Sequence, residues 1–339
     1  MRTKAFPIGI LICLAQPLFG ADSAGRDYRA PAKTNEVVVS SFSWIDPARK
    51  RAVPVKIYSP KAGAAPLPVI VFSHGLGGSR DGYEYLGRFW AASGFVSVHV
   101  QHPGSNDGVW KGAGVGNRMH AMTRAAAQPS NSLNRPLDIH FAIDQLIHLN
   151  TDPPFLLHGR LDTNRIGVAG HSFGGYTALA VAGESFPAGK SKSAPFADPR
   201  IKAAVSMSAP VPRRPQDFAG AFESIHIPVF HLTGTGDNSP IGETKAGDRR
   251  AAFDHMTGAE TCLLIFNGGD HMVFSGTSRP NKGTDKIFQN LICQSTTAFW
   301  EAYLKDNRQA HDWLLQGGFT AELKENGSFE TKLPVAKRR

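Results

Sequence analysis

The sequence predicts an α/β fold, a mostly parallel central sheet with helices on both faces. Three observations carry this. Short apolar runs of strand length alternate with helix-length periodic segments along most of the 339 residues. The hydrophobic share is 41% and the charged share 19%, ordinary for a globular chain with a large core. One of the apolar runs ends in a glycine-flanked serine and opens directly into a small-residue helix.

The elements follow in order. Glu36–Trp44 and Val53–Ile57 read as antiparallel strands at a sheet edge, joined by the polar turn Asp46-Pro47-Ala48-Arg49-Lys50. Leu67–Ser73 is a continuous apolar run, the pattern of a strand buried on both faces. It runs into His74-Gly75-Leu76-Gly77-Gly78-Ser79. This loop does not fit a phosphate cradle, because no Gly-Lys-Ser/Thr follows. Asp81–Ser93 is a helix with Tyr85, Phe89 and Trp90 on one face, and Phe95–Val100 is the next strand. Leu137–Leu149 is a helix, with Ile139, Ile143, Leu146 and Ile147 at helical spacing. Strands follow at Arg165–Ala169, Ile201–Met207, Ile227–Thr233 and Thr261–Phe266, with a helix at Ala246–Met256 between the last two. Two segments interrupt the pattern. Residues 103–136 are expected to be irregular and to border a pocket, with Trp110 and Met119 as apolar lining. Residues 184–199 form a second insertion of the same kind. Near the end, Asn326-Gly327 signals a hairpin.

Gly170-His171-Ser172-Phe173-Gly174-Gly175 sits between strand and helix. A serine at the apex of such a turn projects its hydroxyl above the sheet edge, and the glycines let the backbone bend. Serine alone is a weak nucleophile. It needs a base, a carboxylate to orient that base, and donors for the oxyanion. His271 lies on the loop after the strand Thr261–Phe266 and is the expected base. Asp237 lies on the loop after the strand Ile227–Thr233 and is the expected carboxylate. Asp270 is a rival, disfavoured because adjacent residues rarely point at one another. His231 falls inside a strand and reads as core, His255 as surface, and His102 ends a strand where it could line the pocket. The oxyanion donors are expected to be the backbone N–H groups of Phe173, at a helix N-terminus, and Leu76.

The order Ser172, Asp237, His271, with a His-Gly loop ahead of them, resembles the α/β-hydrolase superfamily. More narrowly, Val71-Phe72-Ser73-His74-Gly75-Leu76-Gly77, the serine hexapeptide and Gly269-Asp270-His271 resemble one branch of it. That branch holds plasma-type platelet-activating-factor acetylhydrolases, dienelactone-hydrolase-like esterases and cutinase-like polyester hydrolases. The resemblance spans roughly residues 35 to 305. It implies the α/β-hydrolase fold and cleavage of carboxylic esters through an acyl-enzyme, with short acyl or acetyl esters favoured. Polyester or phospholipid-type substrates, and acyl transfer by the same triad, are the alternatives. A non-catalytic binding protein on this scaffold is disfavoured, because no triad candidate is missing. True dienelactone hydrolases use cysteine where this chain has Ser172, which argues against that reaction.

Met1-Arg2-Thr3-Lys4 and the apolar stretch from Phe6 to Leu18 read as a secretory signal peptide over residues 1–20, leaving 21–339 as one domain exported to the periplasm or beyond. No stable membrane span is expected after cleavage. In an oxidising compartment, Cys262 and Cys293 are then expected to pair as a disulfide. The formal charge of +9 falls to about +7 without Arg2 and Lys4, but no nucleic-acid-binding motif accompanies it. No metal-ligand spacing or dinucleotide fingerprint occurs, so no cofactor is expected. The expected partner is a small-molecule or polymeric ester; the oligomeric state is left open.

Overall fold

The computed structural model describes residues 28–30, 35–63, 66–188, 191–212, 214, 217–277, 279 and 283–334. The expected signal peptide lies outside them. The chain opens with β1 (Val37–Asp46), β2 (Arg51–Pro60) and β3 (Leu67–Ser73), then α1 (Glu84–Ala92) and β4 (Val96–Val100). Four helices follow, α2 (Gly108–Lys111), α3 (Arg118–Ala126) and α4 (Pro129–Leu149), then, beyond β5 (Leu161–His171), α5 (Phe173–Ala182). Next come β6 (Phe186–Ala188), β7 (Ser191–Ser193), β8 (Ile201–Met207), α6 (Phe218–Phe222) and β9 (Val229–Gly236). The chain continues through a 3-10 turn at Ala246–Arg250, α7 (Ala251–His255) and β10 (Thr261–Asp270). It closes with α8 (Thr284–Leu304), α9 (Arg308–Leu315), α10 (Gly318–Leu323) and β11 (Gly327–Lys332).

Nine strands form one sheet in the order β1-β2-β4-β3-β5-β8-β9-β10-β11. The six from β4 to β10 are parallel; β1, β2 and β11 join antiparallel at the edges. Strand periodicity decides the layers. Along β3, Val69 and Val71 enter the core under α4 and α5, while Ile70 and Phe72 enter the core under α1 and α8. Both faces are therefore covered, and every residue of β3 is buried. Close approach sets the α8 contact: a Cβ on Gly167 of β5 would lie 2.6 Å from the Trp300 ring. This is the α/β-hydrolase architecture.

Four expectations need correction. Residues 103–136 are not an irregular loop: they build α2, α3 and the first two turns of α4. Pro129 occupies the first turn of α4, where a missing N–H costs nothing, and Pro136 is carried inside the helix. Residues 184–199 contain a short antiparallel ribbon, β6 with β7. Asn326-Gly327 turns no hairpin; β11 starts at Gly327 and pairs with β10, while the residues before it are helical. The fourth is the disulfide. Cys262 and Cys293 are both buried thiols, and no disulfide joins them. Cys262 pairs in register with Phe230, which packs against Phe299 of α8, whereas Cys293 lies six residues earlier on α8 and lines a cavity with Tyr85 and Phe89 of α1.

Candidate active site

The site begins with the turn between β5 and α5. Ser172 has φ 57° and ψ −118°, a left-handed-side conformation that costs a β-carbon-bearing residue strain. Surrounding contacts hold it there. The Ser172 N–H donates to Met207 O at 2.8 Å. A Cβ on Gly170 would lie 2.1 Å from Gly174 O, and one on Gly174 would lie 1.9 Å from Ser73 O. Only glycine permits either approach, which accounts for the spacing seen in the sequence.

Three strand ends meet at this turn. His271 Nε2 lies 2.9 Å from Ser172 Oγ, and His271 Nδ1 lies 2.7 Å from Asp237 Oδ1. Asp237 is fully buried and accepts from Ser208 Oγ at 2.5 Å and Thr233 Oγ1 at 2.8 Å. Asp270 turns elsewhere and pairs with Arg279 at 2.9 Å.

Sequence reasoning missed Arg249. Its Nε lies 3.0 Å from Asp237 Oδ1 and donates to Asp237 O at 2.7 Å. Its Nη1 donates to Ser208 O and Ala209 O, and Nη2 stands 3.3 Å from His271 Nδ1. Burial lowers its pKa, against the pull of Asp237. It occupies a 3-10 turn, where no local pattern marks it. Also missed were Tyr83 and the role of His171. His171 Nε2 donates to His271 O at 2.9 Å, which makes Nδ1 the acceptor of the Tyr83 hydroxyl at 2.8 Å. The Tyr83 oxygen in turn accepts the Gly75 N–H at 3.3 Å. Burial and the nearby His271 push the His171 pKa well below the ordinary value, so the ring stays a neutral relay of hydrogen bonds.

Leu76 and Phe173 line the same cavity as Ser172. Phe173 is the first residue of α5, so its N–H has no intrahelical partner. In the 74–78 loop the amides of Gly75, Gly77 and Gly78 are engaged by Tyr83 Oη, Ser105 O and Gly75 O. Among the described residues no hydrogen bond takes up the Leu76 amide. His74 organises this loop: its Nε2 accepts the His102 N–H at 3.1 Å, and its Nδ1 donates to Gly75 O at 2.6 Å.

A cavity of about 570 Å³ opens above Ser172. Leu76, Trp110, Met122, Phe173, Pro210 and Ile241 give it an apolar wall, and no carboxylate lines it among the described residues. Trp110 lines the cavity, fixed by its Nε1–H to Gly77 O at 2.7 Å. Two pocket expectations fail. Met119 sits on the outward first turn of α3, 58% exposed, and Met122 one turn later faces the cavity. His102 is fully buried behind the site, between Ser73 Oγ at 2.9 Å and Asp138 Oδ2 at 3.0 Å. Residues 184–199 contribute no described lining residue. Among the described residues no group of three His, Cys, Asp or Glu could hold a metal ion.

A family model, "Platelet-activating factor acetylhydrolase, isoform II", matches residues 47–107, the stretch from the β1–β2 turn through the Leu76 loop to the start of α2. The chain is similar to the platelet-activating factor acetylhydrolases. It is 31% identical over 150 residues to that of Cavia porcellus, covering 38% of this chain and 34% of the relative. It is 31% identical over 152 residues to that of Canis lupus familiaris, covering 37% and 34%. The match thus spans about a third of the length of these acetylhydrolases. Together with the fold, it assigns the chain's likeness to the serine-esterase branch of the α/β-hydrolases.

Proposed function

We propose that this chain is an exported serine hydrolase that cleaves short-acyl carboxylic esters, phospholipid-type esters among them. The observation that carries the reading is the unbroken row Ser172 Oγ, His271 Nε2, His271 Nδ1, Asp237 Oδ1, with contacts of 2.9 and 2.7 Å. Ser172 Oγ attacks the acyl carbon as its proton passes to His271 Nε2. Asp237 holds the other nitrogen and stabilises the imidazolium. The acyl oxygen gains negative charge against the Leu76 and Phe173 N–H groups, at the positive end of α5. When the tetrahedral intermediate collapses, His271 returns the proton to the leaving alcohol. A water, deprotonated by His271, then attacks the acyl-enzyme and releases the acid.

The cavity favours an apolar acyl group, since Leu76, Trp110, Met122, Phe173, Pro210 and Ile241 line it. Acetyl esters are the chemistry named in the matching relatives. Export is supported by the basic and then apolar N-terminus, and no helix among the described residues is long and apolar enough to cross a membrane.

The test is hydrolysis of p-nitrophenyl esters from acetate to palmitate by the wild type and Ser172→Ala. The variant is expected to lose about 10⁶-fold in kcat, as when the nucleophile of a triad is removed. Turnover should be greatest for the short esters. Near-wild-type turnover by Ser172→Ala overturns the mechanism.

A further inference from the structure

Beneath the site lies a fully buried arginine that the mechanism above does not use. Arg135, on α4, has no exposed surface. Its Nε donates to Thr177 Oγ1 at 3.0 Å, its Nη1 to Ser105 Oγ at 2.8 Å, and its Nη2 to Ser73 Oγ at 3.1 Å and to His74 O. Its guanidinium also stacks 4.5 Å from the centre of the Phe173 ring.

These partners belong to three segments, Ser105 lying on the loop after β4. Ser73 and His74 end β3 and lead into the loop that carries the Leu76 N–H. Thr177 and Phe173 form the first turn of α5, and the Thr177 hydroxyl donates to Phe173 O at 2.9 Å. One planar fork therefore touches both sides of the gap between the two candidate oxyanion donors. Its hydrogen-bond acceptors among the described residues are all neutral oxygens. Asp138, on the same helix, is already taken by Arg49 at 2.8 Å, Arg51 at 2.8 Å and His102 at 3.0 Å. With Asp46 paired to Arg49, the carboxylates of Asp46 and Asp138 are occupied by the guanidiniums of Arg49 and Arg51, and the charge of Arg135 is hydrogen-bonded to no carboxylate among the described residues. Burying such a charge is costly unless something gains from it.

We propose that Arg135 is the positioning residue of the oxyanion hole: it fastens the Leu76 loop to the N-terminus of α5, fixes the separation of the two N–H donors, and keeps a buried positive charge against both. The role rests on the ester-hydrolase reading. It acts through Leu76 and Phe173, so it serves the transition state and not substrate binding. A lysine keeps the charge but has no planar fork, and cannot span the four acceptors.

The test compares wild type, Arg135→Lys, Arg135→Gln and Thr177→Val on p-nitrophenyl acetate, together with the inhibition constant of phenylboronic acid. The boronic acid forms a tetrahedral anionic adduct on Ser172 Oγ, the serine proton passing to His271. Both Arg135 variants should lose about 10²-fold in kcat, the size of effect of losing one oxyanion donor, with KM within about threefold. Their boronate inhibition should weaken in proportion to kcat/KM. Thr177→Val removes one acceptor with no loss of volume and should lose about 10-fold in kcat with the same unchanged KM; it decides the matter if the Arg135 variants do not fold. An Arg135→Lys enzyme with wild-type kcat overturns the proposal, as does a loss confined to KM, or a folded Thr177→Val with wild-type kcat and boronate affinity. In each of those cases the wild type still hydrolyses the ester, so the proposed function stands. A wild type that neither turns over the ester nor reacts with a fluorophosphonate overturns the function and this inference together.

Discussion

Asp237 is held by more groups than His271 alone. Ser208 Oγ, Thr233 Oγ1, Arg249 Nε and His271 Nδ1 all converge on its two oxygens. That convergence gives a buried carboxylate its compensation and aims one lone pair at the imidazole. Asp237→Asn should keep the side chain in place but present an N–H or a weaker acceptor to His271. We expect kcat to fall by about 10⁴-fold with little change in KM, as when a triad carboxylate becomes an amide. A loss under 10-fold in steady-state kinetics would show that Asp237 is not the orienting group. At this scale Ser172, His271 and Asp237 were legible because each follows a strand and sits in a turn-forming sequence. Arg249, Ser208 and Tyr83 were not. Their partners lie 8 to 88 residues away, and nothing in the sequence around them names those partners.

The strand–turn–helix unit of β5 and α5 shows what sequence spacing can state. Gly174 lies where helix meets strand end, and a methyl there would sit 1.9 Å from Ser73 O and 2.6 Å from Ser73 C. Both are backbone atoms of a central strand and cannot move aside. Gly174→Ala should therefore cost more than about 4 kcal/mol, the range reserved for severe steric lesions. Thermal unfolding and soluble yield would register it; a wild-type Tm would refute the packing. Helices α3 and α4 show the opposite limit. Residues 103–136 carry polar residues and glycines in no clean helical period, so the sequence reads as loop. Tertiary contacts make it helical: Arg135, Asp138 and Asn131 are buried polar residues that find partners in the Leu76 loop, the β1–β2 turn and Gly104. A hydrophobic period cannot reveal a helix whose buried face is partly charged.

At the scale of the whole molecule, five of the buried imidazoles among the described residues have pKa values lowered by burial. Burial is the largest cause for each: His74 and His171 are pushed well below the ordinary value, His102 to about 4, and His99 and His231 to about 3. In the unfolded chain they titrate near 6.5. Below that pH the unfolded state binds protons that the folded state refuses, so stability should fall as pH falls. Glu184 works in the opposite sense, since burial raises its pKa to about 8, but it is one group against five. We expect the urea midpoint to drop between pH 7.5 and 5.5, a window above the ordinary carboxylate range. A flat or rising midpoint would mean that the imidazoles are solvated.

The sequence by itself determined the alternation of strand and helix, the parallel sheet, the serine turn and the strand ends that carry His271 and Asp237. Those are local properties: side-chain period, glycine at tight approaches, and apolar runs of strand length. Tertiary structure decided what depends on distance between remote segments. Cys262 and Cys293 share a core, but Cys262 sits on β10 and Cys293 lines a cavity beside α1, and no disulfide joins them. His102 closes a buried network instead of lining the cavity. Arg135 and Arg249 became part of the site only when the sheet order brought β3, β5, β8, β9 and β10 side by side. A charged side chain reads as surface until the fold shows which buried oxygens surround it.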